Sequence, residues 1–299
     1  MNQISVGRFP GLPDELWRDG HAVCAQMLDW CSPERSRWVS FAETLFESVK
    51  GSPSRGNAFS GQRGKTADAI GPTAKGAWSQ IRQRAEKIIG ESDEFNYLEI
   101  SSDYRFKVGD TDRDVHLYLG NGSYFPLKKT WLNLAVSVGI ARSPSDLLDL
   151  AGSGLKLLNP SYGAIFRFPV AAGASTYLSG ATYSGPTVRE LGPPDDVLGP
   201  HADRVHRAKY RTSTEFSYGS GYVREVYEIN ILSEAHLCAP LLTSTVKAYA
   251  ESIGNLQASS LWPDLFEWRL ERDELDQARA DWEHSGLVLS AECQPVRWQ

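Results

Sequence analysis

The segment Ser60-Gly61-Gln62-Arg63-Gly64-Lys65-Thr66 ends in Gly-Lys-Thr, the residue types of a phosphate cradle. Such a loop needs four residues between its glycines, so that successive backbone N–H groups surround the phosphates, and it must follow a buried strand. Only Gln62 and Arg63 intervene here, and the upstream chain reads as helix and loop, so the segment is expected to be a basic surface loop. Gly152-Ser153-Gly154 is no better as a dinucleotide signature, because it lies late in a helical pattern and not between a strand and a helix.

Six histidines, His21, His116, His201, His206, His236 and His284, supply imidazole for acid–base work or metal ligation. His201 and His206 are five apart and fall on different helix faces, and no HExxH or His-x-His pair exists, so no zinc site is expected. His116 follows Asp110, Asp112 and Asp114, which together could form an acid/base or hydrolytic cluster. Aspartates before a strand also serve turn geometry, and the spacing does not complete a calcium loop. The nucleophile elbow Gly-x-Ser-x-Gly is absent. Cys24, Cys31, Cys238 and Cys293 make no CxxC or Cys/His pattern, and they are expected to be reduced and mostly packed. These residues call for neither a metal nor a cofactor.

Charge is more informative than catalysis. The chain carries 31 basic and 37 acidic residues, net −6, which argues against a general binder of nucleic acid or of anionic membrane. By region the balance is +3 over residues 1–90, −1 over 91–211 and −8 over 212–299. In the last region a helix from Glu271 to about residue 285 turns Leu275, Ala278 and Trp282 to one face. Asp273 then lies opposite, with Glu274 and Asp281 on one flank and Asp276 on the other. Such a face is either ordinary solvated helix surface or a negative docking surface for a basic protein. The basic stretch 201–211, with Arg204, Arg207, Lys209 and Arg211, interleaves only one aromatic residue, Tyr210, and reads as solvated.

The elements that carry these residues follow from periodicity. Trp17, Cys24, Leu28 and Cys31 predict a helix over 13–31, and Trp38, Phe41, Ala42 and Leu45 predict a second over 33–49, antiparallel to the first. Residues 51–64, rich in Gly, Ser and Arg, predict a long loop, and Trp78, Ile81, Ala85 and Ile88 a third helix over 73–89. After Gly90 the period becomes two. Strands are expected near 95–97, 104–108, 115–119 and 131–138. Ser143-Pro144-Ser145-Asp146 predicts a capped helix to about residue 158, followed by a strand at 164–168 and a Gly/Pro loop at 180–200. A strand over 222–232, a helix over 241–253 closed by Gly254, strands near 256 and over 265–270, the acidic helix and a last strand over 287–291 complete the chain.

The expected class is therefore α+β: N-terminal helices followed by a mixed, mainly antiparallel sheet with packed helices. One domain is expected over 1–299, with a helix-rich lobe over about 1–90 and a strand-rich lobe over about 91–299. The 299 residues, 41% hydrophobic and 23% charged, suffice for a large core without disulfides. The first twelve residues lack the basic start and apolar run of a signal peptide, and no run of about 18 apolar residues occurs, so a cytoplasmic location is expected.

The run Val223-Arg224-Glu225-Val226-Tyr227-Glu228-Ile229-Asn230-Ile231-Leu232-Ser233-Glu234-Ala235-His236-Leu237 resembles a segment of bacterial polymorphic-toxin immunity proteins, specifically the immunity protein 52 family. Gly254, Leu256, Trp268, Ala278-Arg279 and Ser285-Gly286-Leu287 look like the end of such proteins, and the early Cys24 and Trp38 look like their start. The 51–64 loop has no counterpart there. The resemblance implies a cytosolic α+β antidote that binds a cognate toxin, often a nuclease delivered by type VI secretion, and inhibits it by occluding its active site or disrupting its assembly. It implies no catalytic residues. Two rival readings remain open at this point: a hydrolase using Asp110, Asp112, Asp114 and His116, and a scaffold that associates with itself through an apolar face.

Overall fold

The computed structural model describes residues 21–30, 37–49, 55–60, 79, 82–83, 85–87, 96–102, 115–121, 130–169, 215–291 and 293–298. Among these residues nine strands form one sheet in the spatial order β2-β3-β4-β5-β1-β6-β7-β11-β10, and every ladder between them is antiparallel. The strands are β1 (His21–Trp30), β2 (Arg55–Ser60), β3 (Asn96–Ser101), β4 (Val115–Asn121), β5 (Thr130–Ser137), β6 (Pro160–Pro169), β7 (Ile229–Ser233), β10 (Asn255–Ala258) and β11 (Leu265–Arg269). The two-residue strands β8 (Pro240–Leu241) and β9 (Ser244–Thr245) make a separate hairpin. The α+β class read from the sequence holds.

The first expectation to fail is the helix over 13–31. Residues 21–30 form β1, which pairs with β5 on one side and β6 on the other, at the centre of the sheet. Positions 24 and 28 share a face at either period, so Cys24 and Leu28 could not separate the two states. Burial decides: Ala22 to Leu28 are inaccessible on both faces, the environment in which strands lose their alternation and read as continuous apolar runs. Residues 13–20, with Trp17, and Cys31 lie outside the described residues. The expected helical hairpin is replaced by a strand followed by a helix.

That helix, α1 (Trp38–Ser48), buries Trp38, Val39, Phe41, Ala42, Leu45 and Phe46. The next, α2 (Pro144–Leu155), begins as the sequence predicts. Ser143 Oγ accepts from the Asp146 N–H at 3.1 Å, and Asp146 Oδ2 accepts from the Ser143 N–H at 3.0 Å, satisfying donors that the first turn leaves unpaired. The chain runs from β5 through α2 to β6, and β1 lies between those two parallel strands. Both helices cover one sheet face, formed by Val23, Ala25, Met27, Leu98, Ile100, Leu117, Leu119, Leu132, Leu134, Val136, Ile165, Ile229 and Ile231. Gly154 brings α1 against α2, since a Cβ there would stand 2.6 Å from Leu45 Cδ2.

The opposite face is covered over β6, β7 and β11 by C-terminal elements: a 3-10 turn (Tyr218–Ser220), α3 (Glu234–Leu237), α4 (Val246–Ser252) and α5 (Arg272–Glu283). Here three further expectations change. The strand over 222–232 shortens to β7, because the alternation before it comes from Arg224 and Glu225 turned into the protein and not toward water. The last strand over 287–291 reduces to one parallel bridge, Val223 to Val288. The helix over 241–253 starts only at Val246, behind the β8–β9 hairpin, with the Thr245 hydroxyl accepting from the Ala248 N–H at 3.3 Å. Gly254 does close it, at φ +82°.

The loop expected over 51–64 contains β2, which among the described residues pairs only with β3. A mixed Gly, Ser and Arg composition without period suits an outermost strand, which must resist pairing with other chains. Residues 79, 82, 83 and 85–87 are helical, within the expected third helix. The expected strand near 104–108 and the loop at 180–200 lie outside the described residues.

Candidate protein interaction surface

The acidic helix forms as the sequence predicts. α5 buries Leu275, Ala278 and Trp282, and Trp282 stacks on Trp268 of β11 with ring centroids 5.3 Å apart. Glu271 and Glu274 form the capping box at its start, with the Glu271 N–H donating to Glu274 Oε2 at 2.8 Å. Asp273 and Glu274 lie in the first turn, where the helix dipole favours carboxylates.

The structure divides the four predicted residues into two pairs. Glu274 and Asp281 are half-buried and occupied in holding the fold. Asp281 Oδ2 accepts from the Tyr249 hydroxyl of α4 at 2.5 Å and from Gln277 Nε2 at 2.9 Å. The phenol hydrogen bond holds the Asp281 carboxyl below its usual range, and desolvation together with that bond pushes Tyr249 up. Asp273 and Asp276 are exposed, as is Glu283. Asp276 and Glu283 are seven apart, close to two full turns, so they form one outward stripe with Asp273 beside it. Sequence reasoning missed Glu283, although the same period would have found it.

The surrounding cations do not neutralise this stripe. Of the six Lys and Arg residues in 212–299, Arg224 is buried and Arg297 pairs with Glu215 at 2.7 Å. Arg269 pairs with the buried Glu267 at 2.7 Å and reaches Ser145 of α2 at 3.2 Å. Arg279 Nε donates to the Val226 carbonyl at 3.0 Å. Lys247 and Arg272 are exposed. The exposed acidic residues in the same stretch include Glu234, Glu251, Asp264, Glu271, Asp273, Asp276 and Glu283, so the excess negative charge stands on the surface.

A second constellation was not visible in the sequence. Glu99, Tyr118, Asn133 and Gln26 occupy one register row across β3, β4, β5 and β1. Gln26 Nε2 donates to Asn133 Oδ1 at 2.8 Å, and Arg224 Nη1 donates to Gln26 Oε1. At the other end His116 Nε2 lies 2.8 Å from Glu99 Oε1 and 3.0 Å from the Tyr118 hydroxyl. Asp110, Asp112 and Asp114, the other members of the hydrolase reading, lie outside the described residues. Near Arg224, burial pushes the Cys24 thiol up and Tyr218 up to about 12, against the opposing pull of the guanidinium. These groups are held in their neutral, weakly nucleophilic forms.

The other sequence candidates take packing roles or fall elsewhere. Gly152 faces Leu261 and Gly154 faces Leu45, so the Gly-Ser-Gly segment serves helix packing. Imidazole His236 is buried, its Nδ1 accepting from the Ser233 N–H at 3.1 Å and its Nε2 donating to the Tyr222 carbonyl at 3.1 Å. Cys24 is packed, but Cys238 is exposed, against the expectation of mostly packed thiols. Among the described residues no group of three His, Cys, Asp or Glu side chains could hold a metal ion. No helix among them is long and apolar enough to cross a membrane. Residues 61–66, 201 and 206 lie outside the described residues.

Fold and surface together define an α+β protein with one broad antiparallel sheet and a carboxylate-bearing helix at one end. No family model matches the chain, and no curated protein matches it. Among solved structures it is similar to the Pseudomonas aeruginosa T6SS protein PA0821, at 12% identity and a TM-score of 0.46, over 84% of this chain and 69% of that one. Likeness of that degree carries no argument about function.

Proposed function

We propose that this protein is a cytoplasmic immunity protein that binds and neutralises a cognate antibacterial toxin, a nuclease delivered by type VI secretion, and that it acts by binding without turnover. The observation that carries the reading is the outward stripe of Asp273, Asp276 and Glu283 on α5, near which Arg279 bonds the Val226 carbonyl and Arg269 pairs with Glu267, leaving Arg272 as the exposed arginine of that helix. A nucleic-acid-cutting enzyme presents cations where it holds phosphates, and a carboxylate surface complements them, steering association and covering the site. Inhibition is then steric, by occlusion of the active site or by blocking assembly of the toxin.

The test uses the protein encoded by the adjacent gene, since an antidote is made beside its toxin. Mixed with this chain, it elutes as a complex in size-exclusion chromatography. Absence of a complex removes the proposal. The double variant Asp273→Lys, Asp276→Lys stays folded, with a Tm lower by about 2–4 °C because position 273 lies at the positive end of α5, and associates about tenfold or more slowly at low salt, with the difference shrinking at high salt. Equal association rates at low salt would take α5 out of the interface.

A further inference from the structure

The β8–β9 hairpin is joined by two residues, Leu242 and Thr243, between the paired Leu241 and Ser244. Two-residue hairpins match the twist of their strands only with positive φ at the first central position, a place for Gly, Asn or Asp. Leu242 stands there at φ +55°, the only non-glycine residue with positive φ among the described residues. The other positive φ values there belong to Gly221, Gly254 and Gly286. A left-handed leucine places its Cβ against the following carbonyl, which a glycine or asparagine would avoid.

The strain returns nothing inside the fold. Leu242 is 66% exposed, the most exposed large apolar side chain among the described residues, while Leu241 beside it and Ala239 are inaccessible. The base of the hairpin is rigid. The Val246 N–H donates to the Ala239 carbonyl at 2.9 Å, Ser244 Oγ donates to the Leu241 carbonyl at 3.3 Å, and Thr245 caps α4. An apolar side chain is thus presented to solvent from a backbone conformation that disfavours it. Strain kept in this way calls for a role outside the fold's own stability.

What it meets is indicated by its surroundings. β9 runs directly into α4, and Tyr249 of α4 bonds Asp281 and packs edge-on against Trp282 of α5. The hairpin therefore adjoins, through α4, the helix that presents the acidic stripe. We infer that the Leu242 tip is a preformed plug that inserts into an apolar pocket rimmed by basic residues on the partner protein, next to the contact made by α5. This rests on the proposed function and adds a second, apolar anchor to it. Charge complementarity speeds encounter, while burial of a leucine carried on an already hydrogen-bonded turn lengthens the life of the complex.

Two substitutions test it, with the adjacent gene's product as the probe. Leu242→Asn accepts the left-handed backbone and removes the apolar tip. It raises Tm by about 1–3 °C and weakens binding about tenfold or more, through faster dissociation that hardly changes with salt. Leu242→Met keeps apolar reach and retains binding within about threefold. An Asn variant that binds as tightly as the wild type overturns the plug, and if the α5 charge reversal still slows association, the antidote reading stands without it. No complex with the wild-type chain overturns both.

Discussion

His236 is the titratable side chain on which the C-terminal half depends most directly. Its Nδ1 accepts from Ser233 at the start of α3 and its Nε2 donates to Tyr222, so it joins two segments only as the neutral imidazole. Burial lowers its pKa from 6.5 to about 4. Between these values the unfolded chain binds more protons than the folded one, so the stability from neutral His236 is present above about pH 6.5. It is lost as the pH falls toward 4, by up to about 3 kcal/mol. Glu228, whose carboxyl is raised by burial, has the opposite sign and regains stability on acidification through its own range. Comparing urea midpoints at pH 7.5, 6 and 5 for the wild type and His236→Gln separates the two. The wild type loses stability more steeply than the variant, and parallel slopes would show that His236 does not ionise on unfolding.

At the scale of elements, local chemistry was legible wherever one segment contains its own cause. The Ser143 to Asp146 capping box, the Gly254 stop and the α5 amphipathic face involve residues within one or two turns of each other. Ser143→Ala is expected to cost about 1 kcal/mol, read as a lower urea midpoint with an unchanged m-value. β1 shows the reverse case. Its sequence suits a helical stripe, and only neighbours more than a hundred residues away, β5 and β6, make it a strand. Leu242 stands where a turn residue belongs, so the sequence of the β8–β9 hairpin does not announce a turn. A rule about turn chemistry misses a turn that violates it.

For the whole molecule, the row from Glu99 through Tyr118 and Asn133 to Gln26 and Arg224 joins residues up to 198 positions apart. Arg224→Met leaves the buried Gln26 Oε1 without that donor and is expected to destabilise by about 1–3 kcal/mol. Adding Gln26→Leu removes that stranded acceptor but takes the donor from Asn133 Oδ1, so the double variant is expected to be less stable than the Arg224 single variant yet more stable than the sum of the two losses. A double variant as unstable as the sum of the singles in thermal unfolding would show that the two side chains act independently.

Of the acidic surface, the sequence revealed its helix and the exposed Asp273 and Asp276, because a helix places residues by a fixed angle per position, but not Glu283. It also determined the α+β class and the net charge of the C-terminal region, which are sums over local patterns and need no partner segment. Tertiary structure alone decided that Glu274 and Asp281 are spent on a cap and on Tyr249, and that Arg269 and Arg279 turn inward. It also placed β1 at the centre of the sheet and held Leu242 strained in water. Those outcomes depend on which distant groups compete for each side chain and for each backbone segment, and that competition is settled only when the chain is packed.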